Sequence, residues 1–544
     1  MISKDRIYEN LERLVAVPSV SGTVNEDLGA VKLEEMLYEI PYFAEHRENV
    51  KLVPLENDVL GRRIVTAYLE CCPESKKVVL LVGHYDVVDV EEFGHLKKEA
   101  YDIEVITKRI NELPMDEETR KDYESGEWYF GRGTADMKIG HALSLELLRH
   151  YSEEGGINGN LLYVGVCGEE TNSEGMLRAV PFFNQFKEEK GVEYEALLMP
   201  ECYMVENQAT DPNHYIHYGS QGKLMPMFFF VGSATHAEEP FLGIDPLLLS
   251  NEVYKRMQLN PDFVESVGAD VGVSPVALKS MDLKTTYSCS TPLYAAAYYT
   301  LSTLCLDPKE TVKKLTDIAE ESFREAINFV DMREKAYIEK TGIHPAKLNC
   351  EPCIKTFDQL YKEAKEAYDG DFDECIKELI KEEMKPGVEM QDVTIKIVKK
   401  AYETAPAKQP MIIISFIPPY YPDVMPDKTE ERAARLLEAV EDIIEFAKNE
   451  FGESLKTKDY YGVSDLAFTA LDESKDYDYL FSNIVGANQM WTLPTEDMKK
   501  FSVPGIVLGC YGKDLHKHTE RLHKKYNFEV IPVLYERIIN KLLG

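Results

Sequence analysis

Val78-Val79-Leu80-Leu81-Val82-Gly83-His84-Tyr85-Asp86 is a run of five apolar residues closed by a glycine, then by an imidazole and a carboxylate. An apolar run of that length without polar alternation is the pattern of a strand buried on both faces, as in a parallel sheet covered by helices. The pattern recurs. Leu161-Leu162-Tyr163-Val164-Gly165-Val166 ends in Cys167-Gly168-Glu169-Glu170, and Ala196-Leu197-Leu198-Met199 ends in Pro200-Glu201. Gly505-Ile506-Val507-Leu508 leads into a loop carrying His516. Met137 to Tyr151 has the period of a helix packed on such a sheet. Strands alternating with helices predict an α/β architecture, a mostly parallel sheet with helices on both faces.

Outward from that core, the pattern changes near residue 214. Lys223–Val231 reads as a strand, Gly243–Met257 as a helix and Leu293–Leu304 as another strand. From Pro308 to about Tyr402 the chain is charged and helical in pattern, and its expected role is a bulky, solvated elaboration. Met411–Phe416 is one more strand, broken by Pro418-Pro419. After an amphipathic helix over Glu430–Phe451 the sheet-type pattern resumes. The expected organisation is a catalytic sheet domain in two segments, 1–213 and 423–544, interrupted by an inserted α/β lid over 214–422.

Bulk properties narrow the classes. A chain of 544 residues exceeds what one core usually organises. Its 44% hydrophobic and 10% aromatic content is that of a globular protein. A formal charge of -34 repels nucleic acid and anionic membranes, so neither is an expected partner. Charges run through MISKDRIYENLERLVAVPSVSG, which excludes the apolar core of a secretory signal, and no apolar run is long enough to span a bilayer. A soluble cytoplasmic protein is expected. Of the ten cysteines only Cys71-Cys72 and Cys350-x-x-Cys353 lie close together, and a zinc knuckle needs two such pairs. All ten are expected to be reduced and structural.

In an open α/β sheet the loops beyond the carboxyl ends of the strands converge on one crevice. Here they deliver two imidazoles, His84 and His516, and five carboxylates, Asp86, Asp136, Glu169, Glu170 and Glu201. Five crowded anions demand cations, and two divalent ions would neutralise them. Imidazole and carboxylate without thiolate suit zinc, and also cobalt or manganese. Two-metal sites need a bridging carboxylate, and Asp136, alone on its own loop, is the natural one. Asp86, two residues beyond His84, points the same way and is placed to hold its ring. Neighbouring Glu169 and Glu170 diverge, so one can bind metal while the other faces the attacking water as general base. Each element alone has a bland reading: a surface Glu pair, a helix cap at Asp136, a loop acid at Glu201. Their joint occurrence at successive strand ends carries the inference.

These segments resemble the co-catalytic di-zinc metallopeptidase family that includes glutamate carboxypeptidase, acetylornithine deacetylase and succinyl-diaminopimelate desuccinylase. Gly83–Val88, Gly131–Lys138, Gly168-Glu169-Glu170, Pro200-Glu201 and Leu515-His516 with Glu520 match its motifs. Within it the chain is most similar to an arginine-utilisation type. Asp282-Leu283-Lys284 with Tyr287, Thr291-Pro292, Pro418–Pro422 and Ser464-Asp465-Leu466 carry that likeness. The resemblance implies that Asp136 bridges two ions, with Glu170 and His516 completing one site, and His84 and Glu201 the other. It implies Glu169 as the base, Asp86 as the orienter of His84, and a cis peptide after Asp136. The four-residue spacing to Glu520 selects His516 over His518 and His523, which are expected on a solvated helix. His95, His141 and His150 are expected to be ordinary helix or loop residues. Gly232-Ser233-Ala234-Thr235-His236-Ala237, with Pro240 and Gly243, resembles the family's inserted-domain motif. There His236 would donate to the scissile carbonyl oxygen, often from the partner of a homodimer. One departure is that Tyr298–Thr303 lacks the arginine by which many relatives hold a substrate carboxylate.

The implied activity is hydrolysis of an amide bond in a small peptide or N-acyl amino acid. The rival reading is a catalytically silent metal-binding regulatory protein, and an aminopeptidase is the enzymatic alternative. Glu169 discriminates between enzyme and silent binder, because a binding protein has no use for a base beside an intact ligand set.

Overall fold

The run opened by Val78 is an inner strand of an eight-stranded sheet in the computed structural model, which describes residues 2–203, 211–385 and 387–544. The strands are β1 (Val50–Pro54), β2 (Arg63–Leu69), β3 (Lys77–His84), β4 (Asn160–Val166), β5 (Glu193–Met199), β6 (His214–Ser220), β7 (Leu455–Tyr461) and β8 (Gly505–Leu508). Their spatial order is β1-β2-β4-β3-β5-β8-β6-β7. The four central strands, β4-β3-β5-β8, are parallel. The sheet as a whole is mixed: β1 and β2 add antiparallel on one side, and β6 runs antiparallel to β8 on the other. Every residue of β3 after Lys77 is buried, as the unalternating sequence predicts, and each such Val or Leu contributes about 1.5–3 kcal/mol by leaving water.

The chain divides into two compact units. The first comprises residues up to Ser220, Val424–Leu471 and Pro494–Gly544. It contains the eight-stranded sheet and the helices Lys4–Val15, Ile139–Glu154, Glu174–Lys190, Glu431–Phe451 and Ile531–Leu543. Close packing at its carboxyl end depends on glycine at Gly140, where a Cβ would lie 2.7 Å from the Pro200 carbonyl oxygen.

The second unit is Gln221–Asp423 with Asp472–Leu493. It begins at Gln221 rather than at 214 because His214–Ser220 hydrogen-bonds between β7 and β8 in the first sheet. Its own sheet has five strands, in the order Val276–Asp282, Tyr294–Thr303, Gly222–Val231, Met411–Tyr421, Ile354–Thr356. Met411–Tyr421 is not broken at the prolines. A register shift between Ile417 and Tyr421 takes Pro418-Pro419, a cis pair, out of the ladder, one of the kinds of position in a sheet where proline is tolerated.

The charged stretch is also less solvated than its composition suggests. Helix Pro308–Thr341 buries residues only as far as Ala326. The helices Phe357–Ala367, Phe372–Glu383 and Met390–Thr404, however, are amphipathic. They contribute Leu360, Phe372, Ile376, Val393 and Val398 to the same core as Met227, Phe229 and Ile413 of the sheet. All ten cysteines are free thiols. Among the described residues no helix is long and apolar enough to cross a membrane.

Candidate metal centre

The parallel strands release their carboxyl ends on one side of the first unit. His84 closes β3, Glu169 and Glu170 follow β4, Glu201 follows β5, and the loops after β8 carry His516. Asp136 lies in the turn Thr134–Lys138 that opens helix Ile139–Glu154, and the Asp136-Met137 peptide is cis.

Nε2 of His84 is 3.0 Å from Asp136 Oδ1 and 3.3 Å from Glu201 Oε2. Nε2 of His516 is 3.2 Å from Asp136 Oδ2 and 2.9 Å from Glu170 Oε2. The two oxygens of Asp136 therefore face different imidazoles, and each imidazole faces a further carboxylate. One ring N–H satisfies one acceptor, so neither nitrogen can serve both of its neighbours with a proton. Ligand atoms of His84, Asp136 and Glu170 lie within 4.8 Å of one another. Convergent nitrogen and oxygen donors without thiolate fit a borderline or hard divalent cation.

The surroundings set the tautomer of His84. Its Nδ1 donates to the main-chain carbonyl of Asp86 at 3.0 Å, and a carbonyl only accepts, which leaves Nε2 as the nitrogen that faces the cluster. The Asp86 carboxylate is farther from Nδ1, at 3.6 Å, so the carbonyl is the nearer support for the ring. The Asp86 carboxylate itself accepts from Ser21 Oγ at 2.6 Å and from the N–H groups of Glu169 and Glu170 at 3.3 and 3.2 Å. It thus fixes the Glu169-Glu170 turn as well.

Burial pushes the Glu170 carboxyl up to about 7, the Asp136 charge adding to the effect, and raises Glu201 in the same direction. Burial also raises Glu169 well above the ordinary carboxylate range, with Asp465, Glu170 and Glu201 reinforcing it. Hydrogen bonds to Asp136 and Glu170 hold the His516 ring protonated up to about 11. Burial opposes protonation of His84, but the Glu201, Asp136 and Asp86 carboxylates outweigh it. Without a cation the cluster retains protons to relieve its own repulsion.

Other histidines depart from expectation. His518 is on no helix; it lies in an exposed turn with its ring on the Pro114 carbonyl at 2.8 Å. His523 belongs to a short strand, Arg521–His523, paired with Trp128–Phe130, and stacks edge-on against Trp128. His141 is more than an ordinary helix residue. Its Nε2 donates to the His84 carbonyl at 2.7 Å, its Nδ1 accepts from the Tyr163 hydroxyl at 2.7 Å, and burial keeps the ring neutral, with its pKa near 3. No spacing rule marks His141, because its partners come from β3 and β4. His236 lies in the second unit, bridged to Ser290, with its side chain 53% exposed. The strand Tyr294–Thr303 carries no arginine.

A model of peptidase family M20/M25/M40 matches residues 80–541. Protein RocB of Bacillus subtilis is 28% identical over 542 residues, covering 99% of this chain and 95% of RocB. The uncharacterized protein YqjN of the same organism is 32% identical over 547 residues, covering 99% and 97%. Among solved structures, a tripeptidase from Staphylococcus aureus matches with a TM-score of 0.54 at 14% identity, covering 100% of this chain and 99% of that one. The M20 family metallo-carboxypeptidase Sso-CP2 from Sulfolobus solfataricus matches at 0.53 and 12%, covering 99% and 100%. At such identities the structural likeness speaks to fold alone.

Proposed function

Because the chain belongs to peptidase family M20/M25/M40, hydrolases of amide bonds, we propose that its cluster holds two divalent cations, zinc first among them, for cleaving a small peptide or N-acyl amino acid. His84, Asp136 and Glu201 would hold one ion, and Asp136, Glu170 and His516 the other. The observation that carries this reading is the pair of Asp136 oxygens facing two separate imidazoles. When bound there, the cations supply a lowered pKa for a shared water and polarisation of the scissile carbonyl.

The remaining steps belong to side chains. Glu169 takes the proton of the attacking water and delivers it to the leaving nitrogen. Its displaced basicity suits a group that must both gain and lose a proton. Asp86 and His141 keep the His84 ring and the Glu169-Glu170 turn in place. His236 donates to the carbonyl oxygen as charge develops on it, from the same chain or from the second chain of a homodimer.

Elemental analysis of protein purified without chelator and soaked in zinc should approach two ions per chain. A value that stays at zero, with no thermal shift on adding metal, refutes the reading. The zinc-loaded protein should then be screened against N-acyl amino acids and dipeptides. Arginine derivatives come first, following the arginine-utilisation likeness.

Metal uptake should depend on pH with a definite sign. Ligands must be deprotonated to bind, and His516 and Glu170 hold protons up to about 11 and about 7. Apparent zinc affinity should therefore rise about tenfold or more per pH unit between about pH 6 and 8, each displaced proton adding one power of ten. Competition against a chromophoric chelator measures it, and a flat profile contradicts the ligand set.

A further inference from the structure

We propose that Arg132 and Glu520 are positioning residues that lock the loop of Asp136 to the loop of His516, so that the cation site those two share with Glu170 depends on their ion pair. The proposal rests on the metal-site reading above.

Arg132 is 2% exposed, and three of its donors reach three acceptors on two separate segments. Nη1 donates to Glu520 Oε2 at 2.6 Å, Nη2 to the main-chain carbonyl of His516 at 2.9 Å, and Nε to the carbonyl of Asp89 at 3.1 Å. Glu520, fully buried, completes the link from the other side. Its Oε1 accepts from the N–H of Ala135 at 3.2 Å and of Asp136 at 3.4 Å, and its carbonyl accepts from Gly131 N at 3.2 Å. Residues 384–388 positions apart in the chain are thereby joined at the two loops that must meet to make one site.

The choice of acceptors separates this pair from a generic buried ion pair. The guanidinium grips the backbone of one candidate ligand, and the carboxylate grips the backbone of another. His516 needs such support: its φ is +67°, a left-handed backbone uncommon for a residue with a side chain, and its ring is half exposed. A lysine keeps the charge but has no planar fork, so it cannot reach Glu520, His516 and Asp89 together. Outer partners of metal ligands typically change affinity about 10–100-fold when removed.

The test uses the full chain, stripped by chelator and titrated with zinc, as parent, Glu520→Gln and Arg132→Lys. The parent should bind two ions. Both variants should bind one ion about 10–100-fold more weakly and the other with a smaller loss, because Asp136 serves both while His516 serves one. Melting of the metal-free proteins separates positioning from bulk stability: a merely structural role lowers the melting temperature and leaves the ratio of the two affinities unchanged, which overturns the proposal. If the lone buried charge left by Glu520→Gln prevents that variant from folding, the neutral double variant Arg132→Met/Glu520→Gln removes the charge and should still lose the second ion. Amide exchange in the parent needs no variant. The peptide carrying Ala135 and Asp136 should be protected with and without zinc, and rapid exchange there overturns the link. A parent that binds no zinc refutes the metal reading and the positioning role with it. A parent with two ions and folded variants that match it refute the positioning role alone.

Discussion

Glu169→Gln should lower kcat by about 10²–10⁴-fold, the usual range for one acid–base group, while leaving metal content unchanged. Gln has the shape of Glu but cannot accept a proton from water. The main-chain N–H of Glu169, which donates to Asp86, is untouched by the substitution, so the turn should survive. Glu170→Gln is the informative partner. Its Oε2 lies 2.9 Å from His516 Nε2, so losing that carboxylate should weaken one ion and reduce turnover through metal loss that excess zinc partly restores. A Glu169→Gln protein that turns over the identified substrate at the parental rate would show that the base lies elsewhere. A parent that binds two ions and cleaves nothing in a broad amide screen would favour the silent metal-binding alternative.

His236→Ala should also act mainly on kcat, by about 10²–10³-fold, the usual scale for one donor to a developing oxyanion. Zinc content should stay at the parental value, because His236 is not among the proposed ligands. Which chain supplies it can be read by mixing. If His236 serves the partner's centre, combining Glu169→Gln with His236→Ala chains creates dimers with one intact site, and part of the activity returns. Proven subunit exchange without recovery rules out the cross-subunit form, and a His236→Ala enzyme as fast as the parent discards the role.

The central sheet is legible because burial on both faces leaves an unmistakable mark: β3, β4, β5 and β8 are apolar runs ending in ligand-type residues. The positions of His84, Glu170, Glu201 and His516 follow from one rule about strand ends, and that of Asp136 from the loop that opens helix Ile139–Glu154. Periodicity is local, however, and cannot say which sheet a strand joins. His214–Ser220 and Gly222–Val231 are separated by a single residue yet pair in different units. The same limit hides the return of Asp472–Leu493 to the second unit. His523 sits in a charged run that resembles a solvated helix. It becomes a strand only through pairing with Trp128–Phe130, 391–395 positions away in the chain. Arg132, Glu520 and His141 escape for a related reason, since their partners are main-chain groups brought together by folding and carrying no sequence signature.

The placement of β8 bears on how the chain is made. β1 to β5 can assemble from the N-terminal segment, and β6 can pair with β7, but only β8 joins those two half-sheets. Ribosomes add about 5–20 residues per second, so β5 and β6 wait on the order of tens of seconds with open edges facing a slot one strand wide. Open apolar edges are templates for pairing with other chains. A nascent chain of this kind therefore carries unpaired strand edges until Gly505–Leu508 emerges. His516 emerges later still, so of the proposed ligands a cation captured early could meet His84, Asp136, Glu170 and Glu201 but not His516. Completion of the proposed centre would wait for that residue.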